Sequence, residues 1–158
     1  MSLTPLTNLD ILRYVDRKQL PNFRGVYMRD TLPGKCTRNK ECGIMNLDTS
    51  QQPGSHWVCY FKDSDDSQHN SGKDGERRRI YFDSYGQITP IEIQKYLKTK
   101  KELEDGENII QRNTDIVQGI NTSECGHLCL IVLTALEKGV PFQYIINILR
   151  ERIYNGYS

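Results

Sequence analysis

Apolar positions recur along this chain with two different periods. Near the start, Leu9, Leu12 and Val15 return at three-residue spacing behind Thr7 and Asp10, a hydroxyl and a carboxylate arranged as in a capping box. That predicts a first helix running through Asp16. From Asn22 to Thr49 the chain carries Gly25, Pro33, Gly34 and Gly43 around a short apolar patch at Ile44 and Met45, so the segment reads as mostly irregular with at most one short strand. Two runs rich in aromatic and β-branched residues, Trp57 to Phe61 and Ile80 to Phe82, predict neighbouring strands. The stretch Lys62 to Arg79 between them is almost wholly polar and suits a long exposed hairpin loop.

Beyond Tyr85 and Gly86, Thr89 followed by Pro90 and Glu92 predicts a helix from Pro90 to about Lys98, then a charged turn through Gly106 and a further short strand at Asn108 to Gln111. Ser123 reads as the N-cap of a strongly apolar helix that carries Leu128, Leu130, Ile131, Val132, Leu133 and Leu136 and stops at Gly139. Apolar on nearly every face, it is expected to be the central buried helix. Pro141 opens a last helix with Phe142, Ile145, Ile148, Leu149 and Ile153 facing inward. No repeat and no Pro- or Gly-rich linker divides the chain, so residues 1–158 read as a single domain and a monomer.

Composition narrows the function classes. Lys plus Arg number 21 against 20 for Asp plus Glu, which leaves no general field for a polyanion. Arg77, Arg78 and Arg79 form the one basic cluster and read as an exposed loop face. Met1 to Leu20 has no apolar signal core, and no apolar run approaches the roughly 20 residues needed to span a bilayer. The expectation is an unsecreted protein without a membrane segment. Five cysteines, Cys36, Cys42, Cys59, Cys125 and Cys129, are an odd number that argues for free thiols. Core packing accounts for Cys59 and Cys129. Cys36, Cys42, Cys125, His127 and Cys129 lack the repeated close pairs of a structural zinc site, so no metal and no cofactor are expected.

Cys125 stands two residues after Ser123, in the first turn of the buried helix, where unpaired N–H groups and the positive dipole end favour a thiolate. Gly126 beside it costs a helix up to about 1 kcal/mol relative to alanine, which makes sense if backbone there must approach a substrate. A cysteine nucleophile needs a base. His127 lies on a different face of the helix and His69 lies in the polar loop, which leaves His56 at the start of the strand Trp57 to Phe61. Asp83 ends the neighbouring strand, where it either orients His56 or caps the turn Ser84, Tyr85, Gly86. For an oxyanion donor besides the Cys125 N–H, Gln118 followed by Gly119 is the short-range candidate, with Gln111, Asn113 and Asn121 as alternatives.

The order of these pieces, His56 and Trp57, then Tyr81 through Gly86, then Gln118 and Gly119, then Cys125 and Gly126, resembles the adenovirus protease family (adenain) and its relatives among SUMO-specific and Polinton-type viral proteases. The resemblance covers roughly Arg24 to Leu136, including Phe23 to Val26 and Cys42 to Asp48 before the histidine. It implies an α+β fold with a papain-like site on a permuted chain, its central helix packed on a small mixed sheet. It implies a triad of Cys125, His56 and Asp83, with Gln118 at the oxyanion and Trp57 and Gly126 beside the substrate. It also implies a cysteine endopeptidase of virion and host nucleus or cytoplasm that cuts capsid or core precursors at glycine-containing sites. The alternative is an isopeptidase acting on a ubiquitin-like modifier such as SUMO. Adenovirus proteases are activated by a viral peptide through a disulfide, but no cysteine lies between Asp83 and Cys125 to form it, and the near-neutral charge gives only weak support to a DNA activator.

Overall fold

The structure, a computed structural model, describes residues 4–64, 78–119 and 122–155. Its centre is a five-stranded mixed sheet in chain order, β1 (Phe23–Met28), β2 (Lys40–Asn46), β3 (Trp57–Asp63), β4 (Arg78–Phe82) and β5 (Gln111–Arg112). The outer pairs β1–β2 and β4–β5 are parallel, while β2–β3 and β3–β4 are antiparallel. The helices are α1 (Asn8–Lys18), α2 (Ile91–Leu97), α3 (Lys100–Glu104), α4 (Cys125–Glu137) and α5 (Phe142–Tyr154).

Both faces of the sheet are covered, which is why β3 reads as an unbroken apolar run instead of alternating. Ile44, Trp57, Cys59, Phe61 and Phe82 pack in one core with Ile11 of α1, Leu128, Val132 and Leu136 of α4, and Ile145 and Leu149 of α5. Met45, Val58, Tyr60 and Tyr81 point the other way, into a second core with Ile93, Tyr96 and Leu97 of α2. The hydroxyls of Tyr60 and Tyr96 both donate to the buried Glu41 carboxylate, which ties α2 to the sheet.

The segment expected to be mostly irregular holds two strands, β1 and β2. Gly43, read from the sequence as a breaker, sits inside β2 opposite Tyr60, and a Cβ there would lie 2.7 Å from the tyrosine ring. The ring covers the glycine, and the strand continues beneath it. The Thr7 and Asp10 capping box is present, and α1 buries Ile11 and packs Val15 on the core while Leu9 and Leu12 are exposed.

Thr89 makes no cap bond to α2; Pro90 takes the cap position, and the side-chain capping box is at Thr99 and Glu102, which starts α3 in the expected charged turn. The cap of α4 is Glu124, not Ser123, so Cys125 is the first residue of the helix. On α5, Ile146 is buried where Ile148 was expected, and Ile148 is half exposed. Arg79 is not on an exposed loop face: it is buried in β4 and pairs with Glu102 at 2.7 Å. His69, Arg77 and most of the polar loop lie outside the described residues.

Candidate active site

His56 immediately precedes β3 and Asp83 immediately follows β4. The antiparallel register pairs Cys59 with Phe82, which carries Asp83 to the level of Val58, diagonal to His56 on the same face. The side chains meet there: Nε2 of His56 donates to Oδ1 of Asp83 at 2.7 Å. Asp83 is 1% exposed, and the same Oδ1 accepts from the Tyr85 N–H at 2.8 Å. Its other oxygen, Oδ2, is buried without a hydrogen-bond partner among the described residues. The Tyr85 ring stacks on the imidazole with centroids 4.9 Å apart and planes 24° apart.

With Nε2 held by Asp83, Nδ1 is the nitrogen left for Cys125. The Cys125 thiol begins α4, packed against β3, and Sγ accepts from the Trp57 N–H at 3.4 Å. Burial alone would push its pKa up, yet hydrogen bonds from His56, the Trp57 N–H and the Gly126 N–H bring it below the ordinary thiol value. The imidazole moves the opposite way. Burial would pull it down, but its hydrogen bonds to Asp83 and Cys125 raise it to about 9. The arrangement favours a thiolate beside an imidazolium.

Gln118 is 3% exposed and its orientation is fixed: Oε1 accepts from the Ser84 hydroxyl at 2.5 Å and Nε2 donates to the Thr122 carbonyl at 2.9 Å. One amide hydrogen is thus committed; the other has no partner among the described residues, and Gln118 lines the cleft together with Cys125. Two of the alternatives fall away: Asn113 is spent on the backbone of Asp83, and Gln111 is exposed on β5 at the sheet's far edge. Asn121 lies outside the described residues.

Glu124, directly before Cys125, is buried and accepts from Arg152 of α5 at 2.6 Å; burial works against its charge, but the guanidinium holds its carboxyl below the usual range. His127 points away from the thiol and reaches the Thr4 carbonyl at 3.1 Å.

The cleft holds about 800 Å³ and is bordered by His56, Trp57, Tyr85, Gln118 and Cys125, with Val26 and Met28 of β1 and the N-terminal Pro5 and Leu6. Among the described residues no Asp, Glu, Lys or Arg lines it. Trp57 lines the cleft, its indole N–H donating to the Leu6 carbonyl at 2.9 Å. Gly126 is not on the cleft surface. It is buried, and a Cβ there would lie 3.1 Å from the Trp57 ring and 3.2 Å from Leu6, so the space expected to receive a substrate is filled by the protein itself. Leu6 and the Glu124–Arg152 pair carried no signal in the sequence; Tyr85 lay within the quoted motif without a role, and Asn113, named there as an alternative oxyanion donor, instead holds the Asp83 backbone.

No model of a known protein family matches the chain. It is similar to the protease of Porcine adenovirus A serotype 3, with 26% identity over 140 residues that cover 82% of this chain and 63% of that protein. Among solved structures it is similar to the ASFV pS273R protease, with a TM-score of 0.56, 19% identity, and coverage of 90% of this chain and 61% of that one. The selenomethionine form of the same protease superposes with a TM-score of 0.55 at 18% identity. The chain thus spans less than two thirds of the length of these proteins. The fold is that of the viral protease structures, the α+β arrangement expected, and the resemblance to the adenovirus protease extends over most of the chain.

Proposed function

We propose that this chain is a cysteine endopeptidase of the viral type, with Cys125 as nucleophile, His56 as proton shuttle, Asp83 holding the imidazole, and the Cys125 N–H and Gln118 forming the oxyanion hole. The observation that carries the reading is the line Asp83, His56, Cys125, with its 2.7 Å carboxylate–imidazole bond and its thiol at a helix start. The Cys125 thiolate adds to the scissile carbonyl, an S–C bond forms, and the carbonyl electron pair moves onto oxygen. The first N–H groups of α4 have no partner within the helix, so the Cys125 N–H is free to receive that oxyanion together with the second Gln118 amide hydrogen. As the C–N bond breaks, the His56 imidazolium gives its proton to the departing amine. His56 then takes a proton from water, which attacks the thioester and releases the acid and the thiolate.

The substrates in this reading are capsid or core precursors cut at glycine-containing sites, in the virion or the infected cell. The similarity to an adenovirus protease supports a viral peptidase and protein substrates. A cleft that, among the described residues, carries no Asp, Glu, Lys or Arg beside the reacting pair fits a glycine-containing segment. Digestion of co-encoded structural proteins with mass spectrometry of the new termini tests this: new termini beside glycine that vanish with Cys125→Ala are expected, and cleavage that survives the substitution refutes it. Release of a reporter from a SUMO fusion, with capsid proteins left uncut, would move the function to the deconjugating alternative.

A further inference from the structure

The residues before α1 belong to the cleft. Thr4 to Thr7 run past the start of α4, and the side chains that hold them flank the reacting pair in sequence: Trp57 follows His56, and His127 lies two residues after Cys125. Trp57 donates its indole N–H to the Leu6 carbonyl at 2.9 Å, and His127 meets the Thr4 carbonyl at 3.1 Å. Two carbonyls at alternate positions are therefore read by side chains, in the way a groove holds an extended peptide. Between these bonds the Leu6 side chain lies on Gly126, 3.2 Å from where a Cβ would stand, and packs with Cys125 against the main core.

The arm does not plug the cleft. With Leu6 in place about 800 Å³ remains open and Cys125 keeps partial exposure. Leu6 is an edge of that space and Gly126 is the notch that admits it. A helix-start glycine is costly, and here its missing side chain lets Leu6 settle against the residue that follows Cys125, on the rim of the cleft that Leu6 and Cys125 both line.

We propose that Leu6 is a specificity-determining residue, a wall supplied by the chain's own N-terminal arm that limits the bulk admitted next to Cys125. The inference rests on Cys125 being the reactive thiol, but it concerns access to that sulfur and not the identity of the substrate. A substrate residue beside the scissile bond must share with Leu6 the width between the arm and the His56 side of the cleft. The wall is apolar, and it is fixed by two hydrogen bonds and a notch in the helix. It therefore rejects by size, not by charge.

Thiol alkylation tests the wall without a known substrate. Labelling at Cys125 is followed by peptide mapping with a small reagent, iodoacetamide, and with a bulky one, iodoacetamidofluorescein, and the bulky-to-small rate ratio is compared between variants that retain the wild-type melting profile. Leu6→Ala is expected to raise the ratio several-fold, Leu6→Val to raise it less, and Leu6→Phe to lower it, all with the same pH midpoint of labelling. An unchanged ratio across the series overturns the proposal. So does a parallel fall with both reagents accompanied by a higher midpoint, since that pattern means the arm only holds the Trp57 N–H on the sulfur. Labelling that falls elsewhere than Cys125 strikes the proposed function itself, and is distinguished by the peptide map.

Discussion

Asn113 and Asp83 are joined backbone to side chain in both directions: the Asn113 amide donates to the Asp83 carbonyl at 2.6 Å, and its oxygen accepts from the Asp83 N–H at 3.2 Å. β4 ends at Phe82, so this amide supplies the pairing that a further strand residue would have made for Asp83. Asn113→Ala leaves the buried Asp83 N–H unpaired, at about 1–3 kcal/mol, while the Asp83 carbonyl keeps its bond from the Gly86 N–H. Chemical denaturation is expected to show that loss, and Asn113→Asp, which keeps only the acceptor, is expected to recover part of it. A wild-type denaturation midpoint in Asn113→Ala would mean that Asp83 is held by the sheet alone.

Tyr85 stacks on an imidazole whose pKa is raised to about 9, with Asp83 and Cys125 opposing the effect of burial. An aromatic face attracts the charged ring by ~0.5–1 kcal/mol, and one pH unit corresponds to ~1.4 kcal/mol. Removing the ring disfavours the imidazolium, so the sign is downward: Tyr85→Ala should bring the alkaline limb of peptidase activity down from near 9 by about half a pH unit, and Tyr85→Phe should leave it in place. A limb that stays put in Tyr85→Ala would assign the tyrosine to packing only. The backbone bond from Tyr85 to Asp83 persists in both variants, which keeps the comparison on the ring.

Gln118 is held by Ser84 and Thr122 with one amide hydrogen to spare. If that hydrogen meets the oxyanion, its bond strengthens as charge develops. Gln118→Ala should then lower kcat by roughly 10²–10³ with little change in KM. A variant that loses only KM would identify Gln118 as a substrate-binding amide. Normal turnover would leave it a purely structural link between the Ser84 and Thr122 segments.

What could be read in the sequence followed from local signals. The aromatic and β-branched runs gave β3 and β4, whose antiparallel pairing brings His56 to Asp83, and the apolar run after Cys125 gave α4. The missed features depend on contacts between distant segments. The short strand allowed at Ile44 and Met45 is the longer β2, whose Gly43 makes sense in a strand only once the Tyr60 ring covers it, and β1 beside it was not foreseen. Asn113 reaches Asp83 across 30 residues through the parallel pairing of β4 and β5, and Leu6 reaches Trp57 across 51. Neither spacing carries a periodic signature. Glu124 takes the cap position one residue after Ser123 without a side-chain cap bond, and its carboxylate is paired instead with Arg152 near the end of α5, a contact no local spacing signals.

The central claim is that Cys125 is a thiolate made by His56, and the pH dependence of its alkylation tests this most directly. Iodoacetamide labelling of wild-type protein and of His56→Ala, with the modified site mapped by mass spectrometry, is compared from acid to alkaline pH. Cys125 is expected to react first among the five cysteines, with a midpoint below that of an ordinary thiol, and its midpoint is expected to rise in His56→Ala as the hydrogen bond and charge of the imidazolium are lost. Labelling that begins at Cys36 or Cys42, or a Cys125 midpoint unmoved by removal of His56, would contradict the account.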